Sequence, residues 1–165
     1  MPYSIADLNQ MDQSAFTEAL GEIFEQTPTI AHQAWQKRPF KDSDDLHQKM
    51  LEVIHTMTEQ QQLALICAHP DLGSKAKMAE ASVQEQVGAG LNRLTPEEYD
   101  RFHTLNEQYK SQFGFPFIIA VKNHTKESIL IAFETRLNHS QHTEMRHAIA
   151  EISQIAYFRL QQVTR

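Results

Sequence analysis

The chain has 165 residues, 41 % hydrophobic and 22 % charged. That is the size and balance of one globular domain, 1–165, able to bury a continuous core without staples. A net charge of −6, with nine histidines counted neutral, repels phosphate backbones and excludes nucleic acid as the expected partner. No apolar run approaches the roughly 20 residues of a membrane helix, so no membrane partner is expected either.

Met1-Pro2-Tyr3-Ser4 lacks the basic and apolar regions of a signal peptide, and Gln162-Val163-Thr164-Arg165 is not a peroxisomal address. A lone Cys67 has no partner for an internal disulfide, which fits a reducing compartment. A soluble cytoplasmic protein is the expectation. Five glycines in the whole chain argue against Gly-rich sandwiches and nucleotide-cradling loops.

Phe16, Leu20, Ile23 and Phe24 form the first apolar stripe at helical spacing. Asp42-Ser43-Asp44-Asp45 then supplies start signals for a long helix. Leu46, Met50, Val53, Ile54, Met57, Ala64 and Leu65 keep one of its faces apolar over about five turns. Cys67 continues this run as a small core residue, or stands as a nucleophile two residues from His69. Residues two apart on a helix point in different directions, which weakens the thiol reading.

His69-Pro70-Asp71-Leu72 follows. Proline cannot continue a helix, so His69 is expected near the C-terminal end, where the helix dipole favours a protonated imidazole. It reads either as a cap on the last carbonyls or as a proton donor near neutral pH. Ser82-Val83-Gln84-Glu85-Gln86 has the spacing of a capping box, Ser82 capping and Glu85 reaching back. The same donors and carboxylate at a helix start also suit an anionic ligand.

Thr95-Pro96-Glu97-Glu98 is a clear helix start, after which Tyr99, Phe102, Leu105, Asn106 and Tyr109 share a face. Phe113 to Val121 is apolar without a helical period, and Pro116 pushes Phe115 towards extended backbone. No second convincing strand is available to pair with it, so an extended loop is preferred to a strand. Ile129, Leu130, Phe133 and Leu137 form another stripe, and Arg136 beside them is either a solvated charge or a clamp on a carboxylate or carbonyl. His139 and His142 show no obvious third ligand, so no metal site is expected. The last helix is expected from about Gln141 to Leu160, burying Met145, Ala148, Ile149, Ile152, Ile155, Ala156 and Leu160. The architecture is all-α: a compact single-domain bundle of about seven to nine helices with an extended Phe-Pro loop.

Taken together, His69-Pro70-Asp71-Leu72, Ser82-x-x-Glu85-Gln86-x-x-Ala89-Gly90-Leu91, Asn106-x-x-Tyr109, Phe113-Gly114-Phe115-Pro116-Phe117-Ile118 and Ile129-Leu130-x-x-Phe133-x-x-Arg136-Leu137-x-Asn138 occur in one order. That order resembles the 2-oxo-4-hydroxy-4-carboxy-5-ureidoimidazoline (OHCU) decarboxylases, from Phe24-Glu25 through Arg38-Pro39-Phe40 to the last helix. Thr27-Pro28-Thr29 and Lys122-Asn123 depart from the usual Ser-Pro-Trp and Lys-Gly.

The resemblance implies an all-helical, cofactor-free homodimer that decarboxylates a small ureido-imidazoline to (S)-allantoin in urate breakdown. It makes His69, Glu85 and Arg136 the catalytic or orienting residues. Substrate contacts would come from Pro70, from Ser82, Val83, Gln84, Glu85 and Gln86, and from Phe117, Ile118, Ile119, Ala120 and Val121. A helical interaction module would share the apolar stripes but has no use for this combination. A thiol-dependent hydrolase using Cys67 is the enzymatic rival.

Overall fold

The computed structural model describes residues 2–74 and 80–165 and contains nine α-helices among them. They fall into two compact units. One runs up to Ala68 and takes in Ser153–Arg165; the other is His69–Ile152. The all-α expectation holds, and no helix among the described residues is long and apolar enough to cross a membrane.

In the first unit, α1 (Ile5–Gln10) begins on a capping box in which the Ser4 hydroxyl accepts from the Asp7 amide and the Asp7 carboxylate accepts from the Ser4 amide. Next come α2 (Gln13–Leu20), α3 (Thr29–Ala34) and α4 (Ser43–Thr56), with α3 packed on both α2 and α4. Phe16, Leu20, Ile23 and Phe24 are buried as the first stripe requires.

The stripe from Leu46 onward is carried by two helices rather than one. Met57 is extended at ψ 148° and ends α4. Thr58 then caps α5 (Glu59–Cys67) through a capping box with Gln61, which the continuous apolar pattern concealed. Leu46, Met50, Val53, Ile54 and Leu65 are buried, whereas Ala64 is exposed.

The second unit holds α6 (Glu80–Gly88), α7 (Pro96–Phe113), α8 (Lys126–Arg136) and the start of α9 (Gln141–Val163), which continues into the first unit. Helix α7 starts where the sequence places it, on a Thr95–Glu98 capping box with Pro96 in the first turn. It stops at Gly114, whose φ of 83° lies in the left-handed region that favours glycine. Residues 115–120 have no regular structure and are buried throughout, so the loop reading was right.

Aromatic packing holds this loop. The Phe117 ring stacks on Phe133 at 3.7 Å and meets Tyr109 edge-on at 5.2 Å. Rings of this kind bury about 150–250 Å² each and dominate the energetics of a small core. A single-turn 3-10 helix, Val121–Asn123, ends the segment and packs against α6.

Candidate active site

His69 comes directly after Ala68, the C-cap of α5, as expected. It is 8 % exposed, and Pro70 is half-buried. The three residues that follow are pinned from two helices. Gln86 of α6 accepts from the Gly73 amide at 3.0 Å, and its amide nitrogen donates to the Asp71 carbonyl. From α7, Asn106 donates to the Leu72 carbonyl at 2.8 Å and Lys110 pairs with Asp71 at 2.8 Å. Gly73 sits at φ 68°, and a Cβ there would lie 2.8 Å from Leu94. The stretch after His69 is therefore set by buried hydrogen bonds rather than left as a surface turn.

Ser82 lies within α6 and is buried, so it does not cap the helix, and the capping-box reading of Ser82 with Glu85 is corrected. Along α6, Ser82 and Gln86 are buried at i, i+4 and Glu85 is half-buried beside them, while Val83 and Gln84 turn to solvent. Because α6 packs on the turn Val121–Asn123, the structure brings the Ser82–Gln86 segment and the end of the Phe117–Val121 segment together.

Arg136 joins the same segment from α8. It is buried, so the solvated reading fails. Its Nη1 donates to the Ile118 carbonyl at 2.6 Å, and its guanidinium carbon lies 4.3 Å from the Phe117 ring centroid. Its Nε donates to Glu144 at 2.8 Å, while Nη2 is buried with no hydrogen-bond partner among the described residues.

Glu144 is fully buried near the start of α9. Oε1 accepts from Arg136 and also from the Tyr109 hydroxyl at 2.5 Å; Oε2 lies 2.9 Å from His139 Nδ1. Burial opposes ionisation of this carboxyl, but hydrogen bonds from Tyr109 and His139 and the Arg136 charge outweigh it, so its pKa is held below the ordinary value. Burial, with Glu144 as neighbour, pushes the Tyr109 phenol well up, so it stays a donor. Burial and the Arg136 charge lower the His147 pKa, leaving its imidazole neutral more often.

The signs give a stability prediction. A carboxyl with a lowered folded pKa contributes stability above its unfolded value that is lost as pH falls through the folded one. A histidine with a lowered folded pKa also favours unfolding as pH falls below its ordinary 6.5. Thermal melts should therefore show a midpoint that drops as pH falls through the histidine range, then more steeply below the ordinary carboxylate value of 4.5. Glu144→Gln should blunt the second drop and, because the Glu144 charge holds the His147 pKa up, deepen the first.

Sequence reading missed Glu144. Its partner Arg136 lies across the connection between α8 and α9, so no helical periodicity links them. Among the described residues it is His139 and His147, not His142, whose ligand atoms meet Glu144, within 4.8 Å of one another. Glu144 Oε1 already accepts from Arg136 and Tyr109, and the guanidinium charge opposes a cation there.

Cys67 is exposed, not part of the core as the sequence suggested: it is the last residue of α5, whose buried positions are Leu65 and Ile66. Partial burial raises its thiol pKa, which depletes the thiolate a nucleophile needs. Cys67→Ser should leave turnover and melting temperature within about 0.5 kcal/mol of the parent, the range of ordinary surface changes. A folded, inactive Cys67→Ser protein would restore the thiol rival.

These features describe an all-helical protein whose buried arginine-carboxylate pair abuts an extended apolar loop. The sequence matches the OHCU decarboxylase family model over residues 9–161. It is 42 % identical over 161 residues to a 2-oxo-4-hydroxy-4-carboxy-5-ureidoimidazoline decarboxylase of Halalkalicoccus jeotgali, covering 98 % of this chain and 92 % of that protein. It is 46 % identical to the uric acid degradation bifunctional protein PucL of Bacillus subtilis over 96 % of this chain and 32 % of that protein. A crystal structure of (S)-allantoin synthase superposes with a TM-score of 0.80 at 28 % identity, over 98 % of this chain and 54 % of that one. The chain belongs to the OHCU decarboxylase family.

Proposed function

We propose that residues 1–165 act as one catalytic domain, a carboxy-lyase that decarboxylates OHCU to (S)-allantoin in urate breakdown. In this reading it works in the cytoplasm as a homodimer, the latter carried over from the family resemblance. The observation that carries the reading is the meeting of three segments singled out in the sequence. Helix α6 packs on the turn that begins at Val121, and Arg136 donates to Ile118.

In the reaction the bond between the ring carbon and its carboxylate breaks. The electron pair moves into the adjacent ring C=N, so the substrate supplies its own electron sink and no cofactor is needed. What remains for the protein is to orient the carboxylate, stabilise the enol-like intermediate and deliver one proton to one face of the carbon. His69 is assigned as the proton donor. Glu85 holds the substrate hydroxyl or tunes His69. Arg136 binds a carbonyl or ring edge, and Pro70 and the backbone of Phe117–Val121 line the substrate.

The test is incubation with freshly prepared OHCU, followed by circular dichroism. The expected result is rapid formation of one allantoin enantiomer; a racemic product at the uncatalysed rate would overturn the reading. Glu85→Gln keeps size but loses charge and acceptor-only character. With Ser82 already helical, no capping box is at stake. Turnover should fall sharply while the melting temperature barely moves; full activity would remove Glu85 from the catalytic set.

A further inference from the structure

We infer that Glu144, helped by Tyr109, is a positioning residue that holds the Arg136 guanidinium so that Nη2 is the donor kept for a substrate oxygen. The inference rests on the proposed role of Arg136 in binding substrate.

Arginine carries five N–H donors in a planar fork, and a fork swings unless its edges are held. Here two of its three nitrogens are held by partners on different segments. Nε donates to Glu144 Oε1 and Nη1 to the Ile118 carbonyl, at 2.8 and 2.6 Å. Two acceptors on separate parts of the chain fix both the position and the plane of the group. The Phe117 ring then bounds one face, 4.3 Å from the guanidinium carbon.

Glu144 is held in turn. Tyr109 donates to the same Oε1 and His139 lies at Oε2, so the carboxylate cannot rotate away without losing several partners. The remaining nitrogen, Nη2, is buried without a hydrogen-bond partner among the described residues. A buried charged donor left unmatched is rare because it is costly, and a ligand carbonyl or carboxylate oxygen is the acceptor that satisfies it. The Ile118 carbonyl sits in the segment proposed to line the substrate, so one ion pair sets both the donor and part of the wall facing it.

The test is chemical rescue. Arg136→Ala should lose most turnover, and millimolar guanidinium should restore a measurable part of it. If Glu144 orients the guanidinium, rescue should be at least about tenfold weaker in Arg136→Ala/Glu144→Gln, the effect of losing one charge-assisted hydrogen bond. Equal rescue in the two backgrounds would overturn the inference, because a merely structural Glu144 does not govern where added guanidinium binds. Tyr109→Phe, which removes only the hydroxyl, provides a second arm where the guanidinium binds too weakly to read. Its kcat should fall several-fold with a smaller change in KM and unchanged helix content; parent values for both constants would overturn the inference. Parent turnover by Arg136→Ala itself is a different result. It would remove the substrate-binding role of Arg136, and with it anything for Glu144 to position.

Discussion

His69→Asn is expected to lower enzymatic decarboxylation by about 10²- to 10⁴-fold, the usual contribution of a positioned acid, while the fold survives. Asparagine is polar and similar in size, so it retains hydrogen bonding at a position that is 8 % exposed. What it lacks is a proton that can be given up near neutral pH. The segment it introduces stays anchored, because Gln86, Asn106 and Lys110 hold residues 71–73 independently of the imidazole. Melting temperature should therefore change by a few degrees at most, equivalent to about 1 kcal/mol. Because the substrate carries its own electron sink, decarboxylation without enzyme is expected too, so rate alone is an insufficient readout. Product chirality separates the two routes: protonation in bulk water has no preferred face, whereas protonation in a site does. The Asn variant should give nearly racemic allantoin. Near-parent turnover with one enantiomer, from folded His69→Asn, would remove His69 from its role.

Much of the fold was readable because several helix starts carry local chemistry. Thr95 and Glu98 announce α7, and the α9 stripe announces a helix whose observed span is Gln141–Val163. The break at Met57 was not readable from periodicity, since Met57, Ala64 and Leu65 still fall on the helical stripe; only Thr58 and Gln61 mark it. Ser82 shows the opposite failure. A capping box is a local pattern, and local patterns do not say whether the helix has already begun.

At the site, Pro116 and the missing second strand led to the buried loop without any contact being known. Arg136 was ambiguous because a cation late in a helix is ordinarily solvated. Its burial is decided by Glu144, Tyr109 and Ile118, which lie on a different helix or in the loop. Glu144 itself was invisible: glutamate in the first turn of a helix is what the dipole alone would select, so its residue type carried no surprise.

The buried pair should also be strongly coupled in stability. Arg136→Met keeps much of the apolar stem but removes the cation, leaving the fully buried Glu144 carboxylate without its countercharge. Breaking one side of a buried pair costs about 3–5 kcal/mol, a large part of the roughly 5–15 kcal/mol that holds a domain together. Glu144→Gln alone strands the guanidinium in the same way. In Arg136→Met/Glu144→Gln neither charge is left buried, and the glutamine oxygen still accepts from Tyr109. The double variant should therefore be more stable than the sum of the two losses by about 0.5–3 kcal/mol, as read from urea melts. Strict additivity would mean that the two groups do not share an energy. Acid offers an independent check. Without Arg136 the Glu144 carboxyl takes up a proton more readily, and a neutral carboxyl no longer suffers from the missing cation. The stability gap between Arg136→Met and the parent should accordingly be widest near neutrality and narrow as pH falls below the ordinary carboxylate value of 4.5. Turnover should stay lost in the double variant, because restored stability does not return the Nη2 donor.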